Sequence, residues 1–142
     1  MGSENSVKAR SVSGKCLCGA VAFEATLMRD RADACHCAEC RRWSGHYWAS
    51  VNTTREAVRF LKGEEAVGWH RSSDYVRRGF CRECGSALFW QPDRHPQHNN
   101  IFSISAGSLD APTGLKLTEH IFVAEKGDYY EIADGLPQKT AH

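Results

Sequence analysis

Three thiols fall within six residues of one another, at Cys35, Cys37 and Cys40, in the stretch Cys35-His36-Cys37-Ala38-Glu39-Cys40-Arg41-Arg42-Trp43-Ser44-Gly45. A single turn and the start of a short helix can aim all three at one point. Three soft ligands are one short of a tetrahedral zinc shell. A closed shell of four protein ligands is structural, whereas three ligands and a free position make a reactive ion. The rest of the sequence is read with that open position in mind.

Four further cysteines sit in two knuckles, Gly14-Lys15-Cys16-Leu17-Cys18-Gly19 and Cys81-Arg82-Glu83-Cys84-Gly85. Grouping Cys16, Cys18, Cys81 and Cys84 makes a closed four-thiolate site and leaves Cys35, Cys37 and Cys40 as an open three-thiolate one. Bringing segments some sixty residues apart together costs roughly 3 to 4 kcal/mol of loop-closure entropy. Structural zinc contributes about 10 to 16 kcal/mol in small peptides, so the ion offsets that cost. The rival grouping is a ribbon of Cys37 and Cys40 with Cys81 and Cys84. It strands the other three thiols and has a gap wider than the ~15 to 20 residues usual between such pairs.

The elements that must position these thiols are short. Residues 21–27, 46–51, 57–61, 66–70, 75–80, 87–90, 101–106 and 115–123 read as strands, with 129–132 as a candidate last one. Gly, Ser, Asp or charged turns separate them, which predicts an antiparallel, mainly β body. Residues 38–43 predict one or two helical turns ended at Gly45, and residues 29–34 read as a polar connector. The organisation expected is a flexible segment at 1–13, one domain over 14–137 and a tail at 138–142.

At 142 residues the chain can bury about 70% of its unfolded surface, so it can fold around a core of its own. Lysine and arginine number 18 against 17 aspartates and glutamates, which removes the electrostatic case for nucleic-acid or anionic-membrane partners. No apolar run approaches the ~20 residues of a membrane span, and residues 1–10 lack the apolar core of a signal peptide. A cytoplasmic protein is therefore expected. Seven cysteines is an odd count, and without an export signal their clustering favours reduced thiols on metal over disulfides.

These stretches, together with Gly107-Ser108-Leu109-Asp110 and His120-Ile121-Phe122-Val123, resemble the glutathione-dependent formaldehyde-activating enzyme family, which shares its domain with centromere protein V. The resemblance runs from Gly14 to Pro137. It implies an Mss4-like fold of zinc-bound antiparallel sheets with one short helix. It also implies two zinc ions per chain, a structural one on Cys16, Cys18, Cys81 and Cys84 and a catalytic one on Cys35, Cys37 and Cys40. The chemistry implied is that of a carbon-sulfur lyase or S-(hydroxymethyl)glutathione synthase, whose partners are a thiol such as glutathione and a small aldehyde such as formaldehyde.

Zinc on three thiolates is a weak Lewis acid suited to a soft fourth ligand. A free thiol is mostly protonated near neutrality, whereas a metal-bound one is deprotonated outright. A thiol tripeptide with two carboxylates needs cationic anchors, and Arg41, Arg42, Arg77 and Arg78 are the candidates, because arginine grips a carboxylate through two nitrogens. In an extended segment His36 faces away from Cys35 and Cys37, so a supporting role is expected for it. His120, inside a strand, reads as a core or rim histidine. Trp43, Tyr47 and Trp48 could wall a pocket or simply pack. The competing functional class is a zinc-stabilised binding module of the same fold, and the assembly expected is a monomer or a homodimer.

Overall fold

Alternating burial along short segments is what makes this chain a sheet protein. In β1 (Arg10–Lys15) and β2 (Ala22–Leu27) every second residue is buried, Val12 on one and Phe23, Ala25 and Leu27 on the other. That period of two presents one face of each strand to a core. The computed structural model describes residues 9–142. The remaining strands are β3 (Arg31–Cys35), β4 (Trp48–Thr54), β5 (Val58–Lys62), β6 (Val67–Arg71), β7 (Arg77–Cys81), β8 (Ala87–Gln91), β9 (Ile101–Ser105) and β10 (Lys116–Ile121). One α-helix, α1 (Ala38–Ser44), joins them.

The strands form two sheets, a small one in the order β1-β2-β5 and a large one in the order β10-β3-β4-β9-β8-β7-β6. Between them lies one apolar core built on edge-to-face and tilted aromatic pairs. Phe23 of the small sheet packs on Phe89 of the large one at 5.3 Å between ring centres, and Phe89 on Phe102 at 5.0 Å. All three rings are fully buried, and truncating one of them to alanine would cost about 3 to 5 kcal/mol.

The mainly β, antiparallel architecture expected from the sequence is the one found, with one exception. β10 runs parallel to β3, pairing His120 with Ala34 and Ile121 with Cys35. β3 departs from the polar connector that the sequence suggests for residues 29–34. Its pattern is exposed Arg31, buried Ala32, half-buried Asp33, buried Ala34, an alternation of polar and very small residues whose weak apolar signal hides the strand. No strand forms at 129–132.

The expected domain edges also fall inside structured chain. Residues 1–8 of the expected flexible segment lie outside the described residues, while 10–13 belong to β1. At the other end, residues of the expected tail are bonded to the outer edge of β10: Lys139 N–H donates to His120 O at 2.9 Å and Phe122 N–H to Ala141 O at 2.8 Å. An edge strand with unpaired backbone groups needs a cover, and the last residues supply it. Among the described residues no helix is long and apolar enough to cross a membrane.

Candidate metal centres and active site

The two knuckles occupy equivalent places on different sheets. Cys16 and Cys18 lie in the β1–β2 turn, and Cys81 and Cys84 begin the β7–β8 turn. Each turn is closed by a glycine in the left-handed region, Gly19 at φ 82° and Gly85 at φ 81°, where a side chain would be strained. Backbone donors then meet sulfur. Val21 N–H donates to Cys16 Sγ, and Glu83 N–H to Cys81 Sγ, each at 3.3 Å. Hydrogen bonds of that kind favour the thiolate.

The four sulfurs lie within 4.8 Å of one another. The Cys16–Cys18 and Cys18–Cys81 separations are 3.7 and 3.8 Å, against an edge of about 3.8 Å for a tetrahedron with Zn–S bonds of about 2.3 Å. The donor set and its spacing fit zinc. An ion held there clips the small sheet to the large one.

Cys35, Cys37 and Cys40 form the second cluster, also within 4.8 Å of one another, and among the described residues no fourth His, Cys, Asp or Glu ligand atom joins them. The fold therefore groups the thiols four and three, and not as a ribbon of Cys37 and Cys40 with Cys81 and Cys84. Cys35 ends β3. Cys37 is the N-cap of α1, its sulfur accepting from Cys40 N–H at 3.3 Å. Cys40 lies one turn into the helix and is buried, so a cap and a residue three further on share one face. Hydrogen bonds from Cys35 and then Cys40 hold the Cys37 thiol far below its ordinary range. The cost falls on Cys35, which the same contacts push up. Protons shared this way leave when a cation takes their place.

Arg78 supports the cluster from β7. Its guanidinium donates to Cys40 Sγ at 3.5 Å, to Glu39 Oε1 at 3.3 Å and to Ser72 Oγ at 3.2 Å, and it lies over the Trp43 ring at 5.2 Å. Cys35, Cys37, Cys40 and Arg78 line a cavity of about 380 Å³ on the face of the large sheet that looks away from the core. Strand register makes its floor: Asp33 beside Ser50, Cys35 beside Trp48, Asn52 beside Ser103, Ser103 beside Trp90, and Trp90 beside Arg78.

Residues 11–125 match the family of glutathione-dependent formaldehyde-activating enzymes. The chain belongs to this family. An uncharacterized lyase of Schizosaccharomyces pombe is 26% identical over 121 residues, covering 85% of each chain. The crystal structure of a Rhodobacter sphaeroides protein, 24% identical, matches with a TM-score of 0.59 over 75% of this chain and 99% of that one. That likeness establishes a shared fold.

Of the four arginines singled out in this formaldehyde-activating family member, the structure brings only Arg78 to the cavity. Arg41 donates from Nε to Glu125 O at 3.0 Å without joining the cavity lining, and Arg42 is exposed. Arg77 is on the opposite face of β7 from Arg78, 4.0 Å above the Trp69 ring and 2.9 Å from Gln91 Oε1.

His36 is buried on the side of β3 away from the cavity and belongs to a chain of hydrogen bonds. Tyr130 hydroxyl meets His36 Nδ1, His36 Nε2 meets His120 Nδ1 at 2.8 Å, and His120 Nε2 meets Asp134 Oδ2 at 2.8 Å. The carboxylate can only accept, so His120 Nε2 carries the proton. The remaining two bonds, between His120 Nδ1 and His36 Nε2 and between His36 Nδ1 and the Tyr130 hydroxyl, take their direction from the ring nitrogen of His36 that carries its proton. Burial, and then the neighbouring His120, lowers His36 to about 4, which keeps its ring neutral. The bond from His120 lowers the Asp134 carboxyl.

Sequence reasoning missed this chain, whose members lie 84 and 94 residues from His36 or further along. It also missed Asp33, Ser50, Asn52 and Ser103 on the cavity floor. The alternation in residues 31–35 was the one available signal, and it places Asp33 on the same face as Cys35.

Proposed function

We propose that this protein is a zinc-dependent carbon-sulfur lyase of the S-(hydroxymethyl)glutathione synthase type, joining a thiol, glutathione or a similar one, to formaldehyde or a related aldehyde, in the cytoplasm. The observation that carries the reading is a cluster of three sulfurs, within 4.8 Å of one another and without a fourth protein ligand among the described residues, opening into a cavity of about 380 Å³. A binding module needs a zinc for its fold but has no use for a second, incomplete shell at the bottom of a cavity. Family membership and the likeness to a lyase support the same class.

Zinc, when bound, supplies an open position that favours a thiolate over a thiol. Cys35, Cys37 and Cys40 would hold it. Arg78 shares its positive charge with Cys40 and offsets the net negative charge of three thiolates on a divalent ion, which keeps the site attractive to a fourth sulfur. Trp48, Ile121 and Phe122 add apolar walls to a cavity with a polar floor, and charges act more strongly beside such low-dielectric surface. The reaction makes one S–C bond. The carbonyl π pair moves to oxygen, and the proton lost by the thiol ends there; the lyase direction reverses each step.

Because thiol and formaldehyde also combine unaided, the test is a rate. Nuclear magnetic resonance exchange of ¹³C-formaldehyde with glutathione should accelerate in proportion to zinc-loaded protein. The acceleration should vanish in Cys40→Ser, and an exchange rate left unchanged by the loaded protein with both glutathione and cysteamine would overturn the proposal.

A further inference from the structure

Three carboxylates line the cavity, Asp33, Glu39 and Glu125, and two are already engaged. Glu39 pairs with Arg78 at 3.3 Å, and Glu125 Oε1 accepts from Ala38 N–H at 2.9 Å. Asp33 has neither a hydrogen bond nor an ion pair from its carboxylate among the described residues. Its register neighbours are Ser50 on β4 and Glu119 on β10, and Glu119 is itself engaged by Lys139 at 3.1 Å.

Arg29, Arg31 and Lys139 act on the Asp33 carboxyl through their charge from outside the cavity lining, without an ion pair among the described residues. Among the described residues Arg78 is the one lysine or arginine in the cavity lining, and its donors are committed to Cys40, Glu39 and Ser72. Three thiolates on a divalent ion add a further net negative charge. A second unmet group lies on the same wall. Trp48, 5% exposed and opposite Cys35, has an indole N–H without a partner, an arrangement that costs about 1 to 3 kcal/mol unless something accepts from it.

Asp33 and Cys35 are two residues apart on one face of β3, a rise of about 6.6 Å. That is within reach of a short molecule holding sulfur at one end and nitrogen at the other. We propose that the cavity selects a thiol bearing an ammonium group on a chain of about two or three carbons from sulfur, Asp33 pairing with the ammonium while the three-cysteine cluster takes the sulfur. The inference rests on the thiol-activating reading above and narrows it, because glutathione carries its ammonium much further from sulfur and has two carboxylates besides.

The test is a ligand series on the cobalt-substituted protein, followed by the sulfur-to-cobalt charge-transfer absorption. Cysteamine should bind about tenfold more tightly than 2-mercaptoethanol, and 3-mercaptopropionate more weakly than either, as a partly desolvated charge pair predicts. Asp33→Asn should bring the cysteamine to 2-mercaptoethanol ratio down by about tenfold, a comparison in which the intrinsic acidities of the two thiols cancel. Asp33→Glu should restore part of the preference.

If Asp33→Asn does not fold, the unchanged protein still decides, since raising salt should narrow the gap between cysteamine and 3-mercaptopropionate. Equal binding of cysteamine and 3-mercaptopropionate, or a ratio untouched by Asp33→Asn, overturns the ammonium preference and leaves the thiol-activating site standing. A spectrum that no thiol perturbs overturns both.

Discussion

The two cysteine clusters use the same donor atom to opposite ends. Cys16, Cys18, Cys81 and Cys84 come from hairpins of two different sheets, with backbone N–H groups on their sulfurs and a left-handed glycine closing each turn. Their set of four ligands is complete, so an ion bound there would hold the two sheets together. Cys35, Cys37 and Cys40 come from one short stretch of a single strand and helix, one sulfur touched by a guanidinium, and their shell opens on a cavity. An ion there crosses no boundary between sheets. The fourth ligand therefore marks the difference between joining the fold and serving its surface.

The comparison breaks most sharply at the cysteines. Cys81→Ser should abolish cooperative unfolding, because the ion joining the sheets is worth about 10 to 16 kcal/mol in small peptides and exceeds the stability of an ordinary domain. Cys40→Ser should leave a folded protein with a melting temperature within about 8 °C of the parent, one bound metal fewer, and no thiol-dependent absorption with cobalt. Calorimetry and metal analysis on the two variants side by side check this. Similar unfolding of both would erase the distinction.

Arg78 sharpens it next. Residues that support metal ligands are typically worth about 10- to 100-fold in metal affinity, so Arg78→Ala should weaken the three-cysteine site by that factor in a chelator competition and leave the four-cysteine site unmoved. Arg78→Lys should not restore it, since one ammonium cannot donate in the plane to Cys40, Glu39 and Ser72 together.

A smaller effect belongs to the histidine chain behind the cluster. His120→Ala should cost about 1 to 3 kcal/mol in urea unfolding, the penalty for leaving buried partners unsatisfied. His36 also makes a pH prediction. Its ordinary value is about 6.5 and the fold lowers it to about 4, so the unfolded chain binds the extra proton first. Its contribution to stability is complete above about 6.5, declines as pH falls toward 4 and levels off below. His36→Gln should flatten that part of the profile relative to the parent protein.

The smallest effects should come from the arginines outside the cavity. Arg41→Ala and Arg42→Ala should each change stability by less than about 0.5 kcal/mol and leave thiol affinity within about twofold. A larger loss of affinity in either would put part of the substrate against α1 beyond the cavity lining.

Legibility followed the range of the interactions. The short strands, the helix after Cys37 and its stop at Gly45 depend on local alternation and turn chemistry, and the structure has them nearly where the residues suggest. β3 escaped because alanine carries too weak an apolar signal beside Arg31 and Asp33, and a parallel neighbour like β10 comes from far along the chain. The arginines illustrate the same limit. Arg77 and Arg78 are adjacent in sequence, yet strand alternation sends one to Trp69 and the other to Cys40.

From its residues alone, this chain determined that seven thiols in tight spacings would gather into clusters fit for metal, that its body would be sheet, and which family it resembles. Spacing suffices for these, because a ligand set within a few residues has little freedom to point elsewhere. Only the tertiary structure decided which arginine reaches sulfur, that Asp33 stands without a hydrogen bond or ion pair on the floor of the cavity, and that Tyr130, His120 and Asp134 reach His36. Those contacts join residues tens of positions apart, and their geometry is set by strand order and register, which a local pattern does not encode.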